Sequence, residues 1–291
     1  MAKLVIGCGY LGQRVAERWL RQGHEVFVVT RSRPRALEFT GAGLKPIVAD
    51  VMRLNTLMGL PAAETVLYAV GYDSNQGHSI EEVYLLGLMN ALNALPPETG
   101  RVIYVSSTGV YGDADGEWVD EETPCNPDRA GGRACLSAEQ ALASHPHGKN
   151  SIVLRMAGIY GPGRIPRKEA FESGRPMAVV PTNWLNLIHV DDAATVVLAA
   201  EKAPQAPRQY VVSDGVPVQR GEYYTEIARQ LGAPEPKFLR ADQTWPGPVR
   251  SSNNKRVNTA RMQAELDVRL AYPSYREGLA SVSASNRTIG G

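Results

Sequence analysis

A short apolar run, Leu4-Val5-Ile6, leads directly into Gly7-Cys8-Gly9-Tyr10-Leu11-Gly12, and nothing else in the chain restricts its folding so strongly. Beyond the glycines, Leu11, Val15, Ala16, Trp19 and Leu20 recur at helical spacing until Gly23 interrupts them. Val26-Phe27-Val28-Val29 then reads as a second buried strand. A glycine turn between a strand and an amphipathic helix, with a strand following, is the context in which G-x-G-x-x-G carries meaning. The first glycine permits a tight turn, the second lets backbone approach a pyrophosphate, and the third lets helix and strand pack closely. The helix N-terminus adds N–H donors and positive potential. The pattern predicts a dinucleotide site in which Gly7, Gly9, Tyr10, Leu11 and Gly12 take part; a merely structural glycine turn is the alternative.

The alternation continues. Ile47-Val48-Ala49, Val66 to Val70, Val102 to Val105, Ile152 to Leu154 and Tyr210 to Val212 are continuous apolar runs. Helical patterns over about 79–95, 134–144 and 193–201 lie between them. Such strands, alternating with helices, predict the α/β class: a doubly wound parallel sheet covered on both faces. From Tyr160 to Pro181 the chain is rich in Pro, Gly and Arg and the alternation lapses; a helix near 221–231 precedes a second proline-rich stretch. The expected organisation is a Rossmann domain from 1–155 and 186–214, with a small C-terminal α/β substrate lobe from 156–185 and 215–291.

Composition excludes several other classes. Thirty-one basic against 30 acidic residues leave a net charge of +1, so no field of one sign draws in nucleic acid or an anionic membrane. Three cysteines without framework spacing, and five histidines, support neither a disulfide scaffold nor a metal site. The N-terminus lacks the pattern of a signal peptide, and no run approaches the ~20 apolar residues of a membrane span. A cytoplasmic protein with a small-molecule substrate is expected.

The end of the second strand bears on the type of dinucleotide. A carboxylate there would accept from a ribose 2′-hydroxyl and repel a 2′-phosphate. This chain has Thr30, then Arg31-Ser32-Arg33, with Arg35 nearby. Guanidinium groups bind phosphate bidentately, so NADP is expected over NAD through Arg31, Ser32 and Arg33. Asp50, with Val51 after it, ends the third strand where its carboxylate could accept from an adenine amino group; a plain helix cap is the other reading.

With these residues in place the chain resembles the extended short-chain dehydrogenase/reductase superfamily, in its NAD(P)-dependent epimerase/dehydratase-like branch. The pieces are GCGYLG, ADV at 49–51, YAVG at 68–71, VSSTGVYG at 105–112, LSAEQAL at 136–142, GIYGPGR at 158–164, NLIHVDDAA at 186–194 and YPSYREGL at 272–279. They run in family order over most of the chain. The glycine loop departs from the commoner G-x-x-G-x-x-G, which points to an atypical subgroup. The resemblance implies that Ala69, Val70 and Gly71 line the cofactor and that Ser106 lies near the nicotinamide ribose. Ser107 matches the catalytic Ser/Thr that hydrogen-bonds the substrate oxygen. It also implies a carbonyl, alcohol or nucleotide-sugar substrate, and is compatible with a homodimer through helices 79–95 and 134–144.

The family's acid/base pair is a Tyr and a Lys four residues apart on one helix, the cation lowering the phenol's pKa. Anchored on Leu136-Ser137-Ala138-Glu139, the Lys position falls on Cys135 and the Tyr position on Gly131; the family's helix asparagine aligns with Tyr84. Tyr111 or Tyr84 could enter the gap, although both could simply pack. Cys135 could be a nucleophile or an inert thiol. His189 with Asp191 and Asp192 could be a catalytic pair or the start of a helix. Arg164 and Arg167, or Arg250, Lys255 and Arg256, could grip a phosphorylated substrate or be solvated. Two functions follow as expectations: an NADP-dependent oxidoreductase using Ser107 and Tyr111, or a non-catalytic NADP(H)-binding sensor or regulatory protein.

Overall fold

The computed structural model describes residues 2–164, 176–177, 179–238 and 253–288. The core runs β1 (Ala2–Ile6), α1 (Tyr10–Arg21), β2 (Glu25–Thr30), α2 (Arg33–Gly41), β3 (Lys45–Val48), a short α3 (Leu54–Leu57) and β4 (Thr65–Tyr68). It continues through a helical turn Glu82–Leu86 into α4 (Gly87–Ala94), then β5 (Arg101–Ser107), a two-residue β6 (Trp118–Val119), α5 (Ala130–Ser144) and β7 (Ser151–Met156). After β8 (Gly158–Tyr160), β9 (Trp184–Leu185) and β10 (Leu187–His189), helix α6 (Val190–Ala200) leads to β11 (Arg208–Val212). The chain ends with β12 (Val218–Gln219), α7 (Arg220–Leu231), β13 (Arg256–Val257), α8 (Ala260–Leu266) and α9 (Tyr275–Thr288). No described helix is long and apolar enough to cross a membrane.

Seven strands form one sheet in the order β11-β7-β5-β4-β1-β2-β3, and every pairing is parallel. The order reverses at β1, where β2 lies to one side and β4 to the other, with Ile6 opposite Val29 and Tyr68. A crevice therefore opens at the carboxyl ends of β1 and β4, the place where open α/β sheets take ligands. The apolar runs are continuous because both faces are covered. Val5 packs with Val15, Trp19 and Val196 on the side of α1 and α6; Leu4 and Ile6 pack with Leu88, Leu92 and Leu142 on the side of α4 and α5. Each such side chain contributes roughly 1.5–3 kcal/mol when fully buried.

Helix α2 was not legible in the sequence. Ser32 caps it, its hydroxyl accepting the Arg35 N–H at 3.3 Å, and Pro34 sits in the first turn. The second lobe has its own core of Tyr160, Leu187, Val218, Tyr223, Ile227, Tyr275 and Leu279. Two contacts cross the sequence-based division. Strand β13 pairs with β6, and α8 packs Met262 and Leu266 into the core beside α6 and β11.

Candidate functional site

A cavity of about 550 Å³ lies at the crevice, lined by Gly7, Cys8, Gly9, Thr30, Arg31, Ser32, Arg35, Asp50, Val51, Ala69, Val70 and Gly71, with Tyr72, Gln76 and Val83 closing it. Its floor is the glycine loop. Gly7 has φ +95°, and a Cβ there would stand 2.5 Å from the Ala69 carbonyl carbon, so only glycine fits. A Cβ on Gly12 would stand 2.4 Å from the Gly7 oxygen, so α1 presses directly on the turn. At Gly9, by contrast, nothing lies within 4 Å: the loop opens there toward the cavity. The N-terminus of α1 has no side-chain cap and no acidic residue in its first turn, which leaves N–H groups free for an anion. The residues present therefore fit a dinucleotide pyrophosphate.

Of the other members of the loop, Cys8 lines the cavity while Leu11 and Tyr10 do not. Leu11 is core. Tyr10 turns away from the cavity: its hydroxyl donates to the Pro162 oxygen at 3.0 Å, and its ring lies between the guanidinium groups of Arg14 and Arg164. Cys8 is buried, and burial pushes its thiol up to about 12.

The basic end of β2 is brought to the cavity in altered form. Arg31 lines it and donates to Gln76 Oε1 at 3.1 Å. Arg33 does not line it, because α2 begins there and the helical turn carries its side chain outward; Arg35, two residues on, lies at the wall and donates to the Cys8 carbonyl at 3.1 Å. The pair facing the cavity is Arg31 and Arg35. Asp50 lines the opposite wall, its carboxylate accepting the Met52 N–H at 3.0 Å. Gln76 and Tyr72 gave no signal in the sequence; the 71–78 segment reaches the cavity only by folding back over it.

At the end of β5 the two serines part, because successive strand residues face opposite sides. Ser106 turns inward, its buried hydroxyl donating to Glu139 Oε1 at 2.5 Å. Ser107 is half-buried and caps the following turn, accepting the Gly109 N–H at 3.0 Å. Tyr111 is 3% exposed, and its hydroxyl accepts from Arg155 Nη1 at 2.9 Å. Burial pushes that phenol up, against the pull of the Arg155 cation. Arg155 also grips Glu139 through two nitrogens at 2.7 to 3.2 Å. Glu139, Arg155, Ser106 and Tyr111 thus form one buried network beneath the Ser107 turn. A charge within the apolar run of β7 and another on the buried face of α5 were its signal in the sequence.

The remaining candidates are placed as follows. Burial pushes the Cys135 thiol up to about 11, so it stays neutral near pH 7. His189 caps α6, its Nδ1 accepting the Asp191 N–H at 3.3 Å, with its ring 3.9 Å from that of Tyr272. Asp192 accepts the Ala271 and Tyr272 amides, and Asp191 pairs with Arg14. Lys255 is buried on the Gly112 carbonyl at 2.7 Å, and burial pulls its ammonium down to about 8. Arg256 is stacked between Trp118 and Trp184. Arg167 and Arg250 lie outside the described residues. Among the described residues no group of His, Cys, Asp and Glu is arranged to hold a metal ion.

Comparison with known proteins agrees with this geometry. A sequence profile of the NAD dependent epimerase/dehydratase family matches residues 4–213. Protein YeeZ of Escherichia coli K12 is 30% identical over 278 residues, 92% of this chain and 95% of its own. A 2-alkyl-3-oxoalkanoate reductase of Stenotrophomonas maltophilia is 25% identical over 78% of this chain and 74% of its own. The structure of a functionally unknown conserved protein from Silicibacter pomeroyi superposes with a TM-score of 0.80 at 31% identity, covering 98% of each chain. The parallel sheet, the glycine cradle and the match over residues 4–213 place the chain in the NAD-dependent epimerase/dehydratase family of short-chain dehydrogenase/reductase proteins.

Proposed function

We propose that the protein is an NADP(H)-dependent oxidoreductase acting on a carbonyl or alcohol group of a small molecule. The observation that carries the reading is the cavity wall at β2: Thr30 ends the strand in place of a carboxylate, and Arg31 and Arg35 both face the cavity. A ribose 2′-phosphate would meet two guanidinium groups there, each able to bind it bidentately. When bound, the nicotinamide supplies two-electron hydride chemistry. The chain's own part is to hold it through the glycine cradle and the α1 N-terminus, with Ala69, Val70 and Gly71 along its path. Ser107 stands at the carboxyl edge of β5, where its hydroxyl can donate to a substrate oxygen that gains charge. Tyr111 supports that position from below through Arg155. The keto-acid reductase among the relatives favours a carbonyl substrate. The same reading includes a cytoplasmic homodimer through α4 and α5, beside which Leu86 is 50% exposed.

Calorimetric titration with both cofactors tests the proposal. NADP(H) is expected to bind at least tenfold tighter than NAD(H), about 1.4 kcal/mol. Arg31→Ala and Arg35→Ala should each erode that preference. Equal affinities, or a doubly substituted protein that still discriminates, would overturn it.

A further inference from the structure

Arg31 stands exposed just past the end of β2, on a side chain long enough to take many rotamers. Ordering such a chain on binding costs affinity, so a guanidinium already held in place serves a phosphate better. Arg35 is held from its own side of the cavity: its guanidinium lies 5.0 Å over the Phe39 ring and donates to the Cys8 carbonyl. Arg31 is held from across the mouth. Its Nη1 donates to Gln76 Oε1 at 3.1 Å, 45 residues further along the chain.

Gln76 is itself fixed. Its Nε2 donates to Asp73 Oδ2 at 2.9 Å, while Asp73 Oδ1 accepts the Asn75 N–H at 3.0 Å and caps the turn Ser74–Gln76. The Tyr72 hydroxyl donates to the His78 carbonyl at 3.2 Å and ties the two ends of the segment together. Arg31, Asp73 and Gln76 all line the cavity. The order of the three groups follows from their chemistry. A guanidinium only donates and a carboxylate only accepts, so an amide between them has one orientation, oxygen toward Arg31 and nitrogen toward Asp73. The neutral amide also spaces the carboxylate away from Arg31; a carboxylate bonded there directly would occupy the guanidinium and repel a phosphate. The bond to Gln76 takes one N–H of Nη1, and the edge formed by Nε and Nη2 can meet two phosphate oxygens side by side. Hydrogen bonds from Asn75 and Gln76 hold the Asp73 carboxyl below its ordinary range, so the anchor is ionised at neutral pH.

We propose that Gln76, anchored by Asp73, positions Arg31 for a ribose 2′-phosphate, so that the preference for NADP(H) is enforced from the 71–78 segment as well as from the end of β2. The proposal rests on the NADP(H) reading above and names further residues that set it. Gln76 and Asp73 are positioning residues: they act on the phosphate through the Arg31 guanidinium.

NADP⁺ and NAD⁺ differ only in the 2′-phosphate, so the ratio of their calorimetric Kd values isolates this contact. Gln76→Ala should reduce the preference for NADP⁺ about five- to tenfold, the worth of one hydrogen bond. Gln76→Glu should reduce it further, because its carboxylate pairs with Arg31 and faces the phosphate. In an Arg31→Ala background, Gln76→Ala should move the ratio by less than about twofold, since no guanidinium remains to be positioned. Asp73→Ala should also lower the preference, although it takes a negative charge off the cavity wall; simple repulsion predicts the opposite sign. A ratio untouched by Gln76→Ala overturns the proposal. So does equal weakening of both cofactors, the mark of a segment that has merely lost its structure, and so does the same Gln76→Ala effect with and without Arg31, or a preference that rises in Asp73→Ala. Equal binding of the two cofactors by the unsubstituted protein would overturn the NADP(H) reading and this proposal with it; a preference that survives every substitution at 73 and 76 overturns the proposal alone.

Discussion

Two glycines of one loop serve different ends, and substitution separates them. Gly7 is held at φ +95° with the Ala69 backbone 2.5 Å from where a Cβ would stand, whereas Gly9 faces open space. Gly7→Ala should cost on the order of 3 kcal/mol of stability, from left-handed strain and overpacking. Gly9→Ala should leave urea midpoints nearly unchanged but weaken cofactor binding at least tenfold, because its methyl group enters the pyrophosphate space. Equal destabilisation by both would show that the loop is only a turn. Ser107 has two partners to lose. Its Oγ caps the turn at Gly109, so Ser107→Ala should cost about 1 kcal/mol of stability. If it also donates to the substrate oxygen, turnover should fall about 100-fold while cofactor affinity holds. Kinetics and denaturation on the same preparation distinguish the two losses.

Between elements, the buried ion pair of Glu139 on α5 with Arg155 on β7 ties helix to sheet beneath the Ser107 turn. Both side chains are about 5% exposed, so removing one partner leaves an uncompensated buried charge. Burial works against the Arg155 cation, and the Glu139 carboxylate outweighs it. Arg155→Met or Glu139→Gln alone should cost about 3–5 kcal/mol, while Glu139→Leu with Arg155→Met should recover most of it. Urea midpoints for the four proteins of the cycle measure the coupling. Additive losses would mean that the pair is not coupled. The Arg155→Met protein should also lose the Tyr111 anchor, disturbing the position of Ser107 from below.

Over the whole molecule, the second lobe closes on the core through a carboxyl group that is better neutral. Asp214 follows β11 and is 6% exposed; Oδ1 accepts the Val216 N–H, and Oδ2 has no hydrogen-bond partner. Burial pushes its pKa up to about 7, and Asp192 and Glu277 push the same way. The folded state therefore holds this proton when the unfolded chain has already released it. Stability from this group is complete below the ordinary carboxyl value near 4, declines as pH rises, and is lost once pH passes about 7. At about 1.4 kcal/mol per unit, the displacement is worth on the order of 4 kcal/mol. Asp214→Asn should raise Tm at pH 8 and change it little at pH 4.5. A variant equally shifted at both values would mean that Asp214 does not titrate in this range.

The sequence alone determined the sheet and the glycine cradle because both follow from local rules. A strand covered on both faces must be apolar at every position, and a turn that touches backbone admits no Cβ; Leu4 to Ile6 and Gly7 show this without any partner being known. Packing settled the directions of individual side chains. Ser106 and Ser107 are equivalent on paper until the pleat sends one to Glu139 and leaves the other to cap the turn at Gly109. Arg33 and Arg35 exchange places once Ser32 starts a helix, because two residues along a helix turn a side chain to the far side. Tyr111, Glu139 and Arg155 are distant in sequence and become one network only when α5 lies on β5 and β7. Tyr84 packs against Tyr111 and Cys135 from a π turn that no spacing rule announces. Such orientations depend on contacts between remote elements, and a linear pattern does not carry them.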